Sequence, residues 1–217
     1  SLDEALSLAK RDMTARTALL EARLLAGDAA LAQTLTSRFR KAVKQADARP
    51  FIAAKLAERD VRHHKAGTFR YSVEPNVKDG KGGLRDLNTL FWIAKYAYRV
   101  DNSADLVEAG LFDARELAIF QRAEEFLWRV RCWMHFITGR AEERLSFDLQ
   151  RQVAAAIGYA GRSGLAPVER FMKAYFLTAK DVGDLTAIVC AALEARQQKP
   201  RASLTHLLGS LTKRKRV

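Results

Sequence analysis

Apolar residues recur three and four positions apart along most of this chain, the spacing that places side chains on one face of an α-helix. The clearest stripes run from Phe120 to Ile137, ahead of Gly139, and from Val168 to Leu193. Stripes of this kind are packing faces, so the pattern predicts two long amphipathic helices whose aromatic and aliphatic side chains lie in the core.

Shorter stripes predict further helices. They cover residues 3–18, 29–44, Pro50 to about His64, the residues that follow Leu84, 104–108 and 146–157. Residues 19–27 differ, because charges interrupt their apolar run at alternating positions. This favours a strand that ends at Gly27, although a continued helix fits nearly as well. The expected fold class is mainly α: an antiparallel helical bundle with a small α/β remnant at the N-terminus.

The chain is strongly basic. It has 217 residues, with 37 Lys and Arg against 25 Asp and Glu, and a net charge of +12. That charge favours polyanionic partners, or else indicates a basic piece of a larger, balanced protein. No apolar run approaches the roughly 20 residues that span a bilayer. No signal segment opens the chain, so we expect a cytoplasmic protein with no membrane partner.

Common catalytic and metal-binding motifs are absent from the sequence. It contains no HExxH, paired CxxC, His-Asp, GxSxG or Walker-type motif, so no complete metal site is expected in this chain. The adjacent His63 and His64 point to different faces of a helix and offer little. Cys132 and Cys190 lie in apolar helical patterns, which predicts buried free thiols.

The segment from Glu74 to Asp86, EPNVKDGKGGLRD, carries the most chemistry. A glycine turn that leads into a helix offers free backbone N–H groups and the positive end of the helix dipole. Cations beside that turn would complete a phosphate pocket. The predicted nucleotide-binding residues are Lys78, Lys81, Gly82, Gly83 and Arg85, with Glu74, Asn76 and Asp86 in orienting or structural positions.

A structural alternative stays open for this segment: a turn with solvated charges, in which Asp86 only serves the helix dipole. Two other charged segments are candidates. One is Glu21-Ala22-Arg23, and the other is the turn that begins at Gly139 and Arg140. For the second, a helix-ending turn with salt-bridged charges is an equally good interpretation.

Several segments together resemble the bacterial PII-protein uridylyltransferase/uridylyl-removing enzyme family. The glycine-rich residues 71–86 are the most specific match, and the other matching segments are 17–28, 127–131, 144–148 and 167–173. The matches are collinear over about residues 3–195. The resemblance implies a multidomain enzyme with a nucleotidyltransferase domain, a helical domain, an HD-type hydrolase domain and ligand-sensing ACT domains.

The resemblance also implies the chemistry of the whole enzyme. Such enzymes transfer UMP from UTP to a tyrosine of the PII nitrogen-signalling protein with Mg²⁺ or Mn²⁺, and remove it when glutamine is abundant. Their nucleotidyltransferase domains hold the metals on an Asp-x-Asp pair and a third carboxylate. This chain has no Asp-x-Asp. Glu21 could be the third carboxylate, or a strand-end residue paired with Arg23.

The chain is therefore expected to be a middle piece that is inactive alone. Residues 1–46 would end the nucleotidyltransferase domain, 47–199 would form the helical bundle, and 200–217 would lead toward the missing hydrolase domain. Lys78, Lys81 and Arg85 would position the triphosphate of UTP. Two alternatives are a docking module for PII or neighbouring domains and, with weaker support from charge and the basic run at 213–216, a nucleic-acid-binding protein.

Overall fold

The computed structural model describes residues 1–66, 72–162 and 164–198. In these ranges the chain forms nine helices. They are α1 (Leu2–Arg11), α2 (Met13–Leu20), α3 (Ala29–Gln45), α4 (Arg49–Ala66), α5 (Leu84–Tyr98), α6 (Asp105–Glu108), α7 (Ala114–Thr138), α8 (Phe147–Ile157) and α9 (Pro167–Gln198). The mainly α prediction is confirmed, and every predicted helical region is helical, although the one over residues 3–18 is divided into α1 and α2.

Short polar side chains set the starts of the N-terminal helices. Ser1 and Glu4 form a capping box at α1. Asp12 ends α1 in an extended conformation and then caps α2 by accepting a hydrogen bond from the Ala15 N–H at 2.6 Å. Because such caps satisfy amide groups that have no partner inside the helix, they fix the break between α1 and α2 at one residue. The sequence pattern had predicted a single helix over this region.

The predicted strand at residues 19–27 is wrong. Helix α2 continues to Leu20, Glu21 is its C-cap, and an irregular exposed segment follows up to Asp28, which caps α3. A strand needs a neighbour to satisfy its backbone groups, and the described residues contain only two isolated β-bridges, neither of them here. Leu24 and Leu25 are 48% and 81% exposed. The α/β remnant is not confirmed.

The main core lies among α5, α7, α8 and α9. Leu87 and Ile93 of α5, Leu127 of α7, Val153 of α8 and Phe171 of α9 are almost completely buried in one apolar cluster. Each lies on the apolar stripe of its own helix, which is why the periodicity predicted these packing faces correctly.

A second apolar cluster joins the N-terminal helices to the bundle. Ala9, Phe39 and Val43 pack with Phe51 of α4 and Tyr96 of α5. The last two rings stack with centroids 4.1 Å apart. This cluster crosses the predicted domain boundary between residues 46 and 47, and that boundary stays a prediction.

The prediction of buried thiols is wrong for Cys132, which is exposed on the outer face of α7, and Cys190 is only partly buried. Both lie beside the apolar stripe of their helix rather than on it. Among the helices that the structure describes, none is long and apolar enough to cross a membrane. The predicted tail, residues 200–217, falls outside the described ranges.

Candidate functional site

The glycine-rich segment folds back on itself and is tied to the turn between α7 and α8. The Val77 N–H donates to the Glu143 carbonyl, and the Leu145 N–H donates to the Pro75 carbonyl, both at 2.9 Å. The Asn76 side chain accepts from the amides of Lys78 and Asp79, at 3.0 and 2.6 Å, which stabilises the turn. Asn76 was predicted to have an orienting or a structural role, and its hydrogen bonds are those of a structural residue.

Glu74 connects the same segment to α8. Its carboxylate accepts from the Arg144 guanidinium at 2.5 Å and from the Phe147 N–H, the first amide of α8, at 3.0 Å. A carboxylate at a helix N-terminus interacts favourably with the helix dipole. Glu74 orients Arg144 rather than the predicted phosphate-binding cations.

Glycine at positions 82 and 83 is required by close packing. A Cβ on Gly82 would lie closer than 3 Å to the carbonyl of Ala179 on α9, and the φ of Gly82 is +82°. A Cβ on Gly83 would lie 2.6 Å from the Val77 carbonyl oxygen. Gly82 thus has both a positive φ and a close backbone approach, and the element it approaches is α9 rather than a ligand.

The backbone amides at the start of α5 are already hydrogen-bonded. Gly83, Leu84, Arg85 and Asp86 donate to the carbonyls of Gly80, Val77, Lys78 and Gly83, at 2.9 to 3.0 Å. The Gly82 amide donates to the Asp86 carboxylate at 2.8 Å. The amides of Gly82 to Asp86 are therefore not the free N–H groups that the sequence pattern led us to expect. The carboxylate of Asp86 occupies the anion position that the sequence pattern assigned to phosphate.

Asp86 is the centre of a buried hydrogen-bonded cluster, which we call the Asp86 hub. It is 4% exposed, and it also accepts from Arg62 at 2.6 Å and from His63 Nε2 at 2.9 Å. Burial alone would raise the pKa of Asp86, but hydrogen bonds from His63, the Gly82 amide and Arg62 outweigh it and hold the pKa below its ordinary value.

The hub includes two residues that sequence reasoning missed. His63 was set aside because its neighbour His64 faces elsewhere, and Arg62 was not considered. The available signal was their position in the chain: Arg62 and His63 lie near the end of α4, the helix that comes before the glycine-rich segment. Only the packing of α4 on α5 shows that they meet Asp86.

Lys78 lies in a second charge cluster around Glu143. Arg131 donates to both Glu143 carboxylate oxygens, at 2.7 and 2.9 Å, whereas Lys78 Nζ and His135 Nε2 lie 3.8 and 3.7 Å away. Burial would raise the pKa of Glu143, but Arg131 holds it below its usual range. Arg131 therefore compensates this carboxylate, and Lys78 adds little.

The other two predicted cations differ in exposure. Arg85 is about one-third exposed, lies 3.5 Å from the Asp79 carboxylate, and is near the Trp92 ring, 5.9 Å from its centroid. Lys81 is exposed and makes no hydrogen bond or ion pair within the described ranges. The structure thus brings the three predicted cations close together in the chain. Lys78 is weakly paired with Glu143, Arg85 is partly paired with Asp79, and Lys81 is unpaired among the described residues.

The remaining candidates lie elsewhere. Glu21 pairs with Lys95 on α5 at 3.0 Å. Because Lys95 follows Arg85 by ten residues and a helix rises about 1.5 Å per residue, Glu21 lies about 15 Å along α5 from the predicted phosphate site. Arg23 is exposed. Arg140 pairs with Glu142 at 2.9 Å, as the structural interpretation of that turn expected.

In the ranges that the structure covers, no group of three His, Cys, Asp or Glu could hold a metal ion. One pair of interacting carboxylates involves Glu21, because burial and the Glu21 charge together raise the pKa of Glu124. Lys95 partly neutralises that pair. These residues do not fit a two-metal site.

Comparison with known proteins gives consistent matches over the same region. The family model described as GlnD PII-uridylyltransferase matches residues 50–190. The chain is 62% identical over 208 residues to the bifunctional uridylyltransferase/uridylyl-removing enzyme of Nitrobacter winogradskyi, which covers 96% of the chain and 22% of that protein. It is 57% identical over 220 residues to the enzyme of the same name from Rhodopseudomonas palustris, covering 100% of the chain and 24% of that protein. No solved structure matches.

Proposed function

Because the chain belongs to the GlnD PII-uridylyltransferase family, we propose that it is the helical part of a cytoplasmic enzyme that transfers UMP from UTP to a tyrosine of PII and removes it again. The match of the family model over residues 50–190 carries this proposal. The chain spans about a fifth of the length of the relative from Nitrobacter winogradskyi. The domains that carry out transfer, hydrolysis and glutamine sensing would lie in the rest of the enzyme, and the Mg²⁺ or Mn²⁺ of the reaction would be held there.

Within that enzyme, Lys78, Lys81 and Arg85 would position the triphosphate of UTP through their side chains alone. The supporting observation is their weak pairing. Charge-assisted N–H···O bonds are about 2.7–2.9 Å long, whereas Lys78 and Arg85 lie 3.8 and 3.5 Å from their carboxylates. A phosphate can recruit both cations without breaking a strong ion pair, because Arg131 already compensates Glu143.

The test is UMP transfer by the full-length enzyme with Lys78→Ala and with Arg85→Ala. Each change removes a cation that would stabilise the charge developing on the departing pyrophosphate, so kcat/KM for UTP should fall by about tenfold or more, which corresponds to about 1.4 kcal/mol. Uridylyl removal should be unchanged, since a separate domain would perform it. Lys173→Ala is the matched control, because Lys173 is an exposed cation on α9. Full transfer activity in both loop variants would refute the positioning role.

A docking function is the second candidate, and a specific observation favours it. The outer face of α7 exposes three aromatic side chains: Trp128, Trp133 and Phe136 are 41%, 37% and 74% exposed. Trp133 and Phe136 pack edge to face with centroids 5.9 Å apart. Exposed aromatic clusters of this kind are typical of protein interfaces.

The docking candidate predicts that Phe136→Ala weakens binding of PII or of a neighbouring domain without changing UTP affinity. The free energy of unfolding of the Phe136→Ala variant should differ from that of the unsubstituted protein by less than about 0.5 kcal/mol, because the Phe136 ring is mostly in solvent. Binding of PII to the full-length enzyme, measured by calorimetry, separates the two candidates. If Lys78→Ala leaves UTP affinity intact and Phe136→Ala weakens PII binding, docking is the better description.

A further inference from the structure

Helix α3 (Ala29–Gln45) buries side chains only in its second half, at Phe39 and Val43. The apolar stripe that contains them continues toward the N-terminus through Leu35 and Leu31, which precede Phe39 by four and eight positions. Leu35 is half-buried and Leu31 is 53% exposed. Because a stripe of this kind is a packing face, the first half of α3 presents a packing face that the described part of the chain leaves largely uncovered.

The segment that leads into α3 exposes further leucines. Every residue from Glu21 to Leu31 is exposed, and Leu24 and Leu25 are 48% and 81% exposed. Single exposed leucines are ordinary on a protein surface. Three exposed leucines within eight consecutive residues are instead a concentration of apolar surface of the kind that marks an interaction site. We call residues 24–35 the leucine segment.

A cleft adjoins the leucine segment. Residues on either side of the segment, Ala22 and Thr36, line this cleft, whose volume is about 400 Å³. The cleft is bounded by the end of α2, the second half of α3 and the residues that follow α5, and its apolar lining includes Leu20, Phe39 and Val100. Since Phe39 also belongs to the stripe of α3, the segment and the cleft form adjoining parts of one surface.

The cleft is electropositive. Lys41 and Lys44 make no side-chain hydrogen bond or ion pair in the part of the chain that the structure describes, and Arg99 donates to the Lys44 carbonyl at 3.2 Å. The other two lining cations, Arg40 and Lys95, are paired with carboxylates. Helix α3 contains no acidic residue, and its C-terminus offsets only about half of one positive charge. A surface that covers the cleft therefore needs acidic side chains.

Most of a full-length enzyme lies outside this chain. The enzyme from Rhodopseudomonas palustris matches 100% of the chain, and the match covers 24% of that enzyme. The family model begins at residue 50, after α3 has ended. Helix α3 and the leucine segment therefore lie outside the helical region that the family model matches, where they can contact another part of the enzyme.

A second copy of the chain would need a larger surface than a tethered domain. Stable interfaces between separate proteins bury about 1,200–2,000 Å², whereas interfaces between domains of one chain bury about 600–1,500 Å² and are more polar than obligate interfaces. The linkage itself supplies a high effective concentration. The leucine segment interleaves its leucines with Gln33 and Thr34, and the cleft beside it is charged. This mixed composition fits a contact between domains of one chain.

We propose that the leucine segment and the adjoining cleft dock the part of the same polypeptide that lies outside this chain. The docking surface would be apolar opposite Leu24, Leu25 and Leu31, and acidic opposite Lys41 and Lys44. The proposal rests on the proposed function only in taking the chain as one piece of a larger enzyme. Its tests read contacts rather than UMP transfer, and they use no residue of the glycine-rich segment, so failure of one proposal can be told from failure of the other.

The first test is lysine acetylation of the full-length enzyme, read by mass spectrometry. Lys41 and Lys44 are exposed in this chain, so a covering domain should slow their acetylation at least about tenfold relative to the urea-unfolded enzyme. Acetylation at the rate of the unfolded enzyme would overturn the proposal. Protection that appears only after PII is added would also overturn it, because the covering surface would then belong to a separate protein.

Carbodiimide cross-linking identifies the covering surface, because it joins an amine directly to a carboxylate that it contacts. In a mixture of isotopically light and heavy full-length enzyme, Lys41 or Lys44 should link to an Asp or Glu outside residues 1–217, and no link should join a light chain to a heavy one. Links between light and heavy chains would identify a second copy as the occupant. That result, links confined to residues 1–217, or no link from either lysine would each overturn the proposal.

A double variant of the full-length enzyme tests the apolar part of the surface. Leu25→Asp/Leu31→Asp should return the acetylation of Lys41 and Lys44 to the rate of the unfolded enzyme, because carboxylates resist burial against an apolar surface. Both leucines are exposed in this chain, so the substitutions leave its own core intact. The matched control is Leu177→Asp, at a leucine of α9 that is 53% exposed, and it should leave both lysines protected. Unchanged acetylation in the double variant, or an equal rise in the control, would overturn the proposal.

Discussion

The two ends of α5 treat charge in opposite ways. At its N-terminal end, the Asp86 hub buries a carboxylate among Arg62, His63 and a backbone amide, and Gly82 is packed against α9. At its C-terminal end, a cleft bounded by the ends of α2, α3 and α5 leaves Lys41 and Lys44 exposed to solvent beside apolar side chains such as Leu20 and Phe39. At the glycine-rich end, whose sequence is the more distinctive, most polar groups are paired within the fold. At the other end, which has no distinctive motif, the two lysine side chains remain unpaired among the described residues.

The comparison shows that a glycine-rich charged motif does not by itself make a ligand site. Binding capacity depends on which polar groups remain unpaired after folding. The desolvation of a buried carboxylate costs several kcal/mol and is offset only when donors surround it. Asp86 has those donors, so its charge contributes to the fold and is not available to a ligand. Exposed lysines carry no such desolvation cost and stay available.

The largest expected effect is the loss of the hub carboxylate. Asp86→Ala leaves Arg62 and, when protonated, His63 buried without a counter-charge, so the free energy of unfolding should fall by about 3–5 kcal/mol. Urea unfolding followed by circular dichroism measures this. The control is Asp184→Ala, which removes an exposed carboxylate paired with Lys180 and should change stability by less than about 1 kcal/mol. Equal losses in the two variants would contradict a buried hub.

The second largest loss of stability is expected from substitution of Gly82, the glycine packed against α9. Gly82→Ala combines a positive φ with a clash against the Ala179 backbone. The φ costs about 1–2 kcal/mol and the overpacking a further 1–3 kcal/mol. Gly139 is the matched control: its φ is +65° and a Cβ there would meet nothing within 4 Å. Gly139→Ala should therefore show the φ cost alone, and a loss as large as that of Gly82→Ala would contradict close packing.

Acid should remove the contribution of the hub. The pKa of Asp86 is lower in the folded chain than its ordinary value of 3.8. The carboxylate therefore stabilises the fold fully above that ordinary value, and the contribution is lost as the pH falls through the folded pKa. The difference in unfolding free energy between the unsubstituted chain and Asp86→Ala should be constant near neutral pH and should narrow in acid. If this difference in unfolding free energy instead became larger in acid, the pKa of Asp86 would not be lowered by folding.

The smallest effect on stability belongs to the cleft. Lys41→Ala/Lys44→Ala should change the free energy of unfolding by less than about 0.5 kcal/mol, because both side chains are in solvent without partners. The same urea assay used for the hub variants measures it. A loss comparable to that of Asp86→Ala would show that these lysines serve the fold, as the hub residues do.

Periodicity predicted the helices well because a buried stripe repeats with the helix itself. Phe120 and Leu127 were assigned to the core from spacing alone, and both are buried. The segment around Leu24 and Leu25 was misassigned, because alternation indicates a strand only where a partner strand exists. No local pattern reports whether that partner is present.

The candidate site was only partly predictable for a related reason. Composition identified the glycine-rich segment as unusual, and glycine is the residue that tolerates the positive φ found at Gly82. The pairing of Asp86 with His63 depends on how α4 packs against α5, and the cleft forms where α2 and α3 meet α5, which lies far from them in the sequence. Such long-range contacts leave no trace in spacing.

Amide hydrogen exchange at the start of α5 tests the central claim most directly, namely that the glycine-rich turn satisfies its own backbone groups. Exchange at Gly82, Leu84 and Arg85 can be measured by NMR against Arg23, which lies in the exposed segment after α2. The account predicts that the three turn amides exchange only through extensive unfolding, and that Arg23 exchanges rapidly. Turn amides that exchange as fast as Arg23 would show that they are free to bind an anion, and would contradict the account.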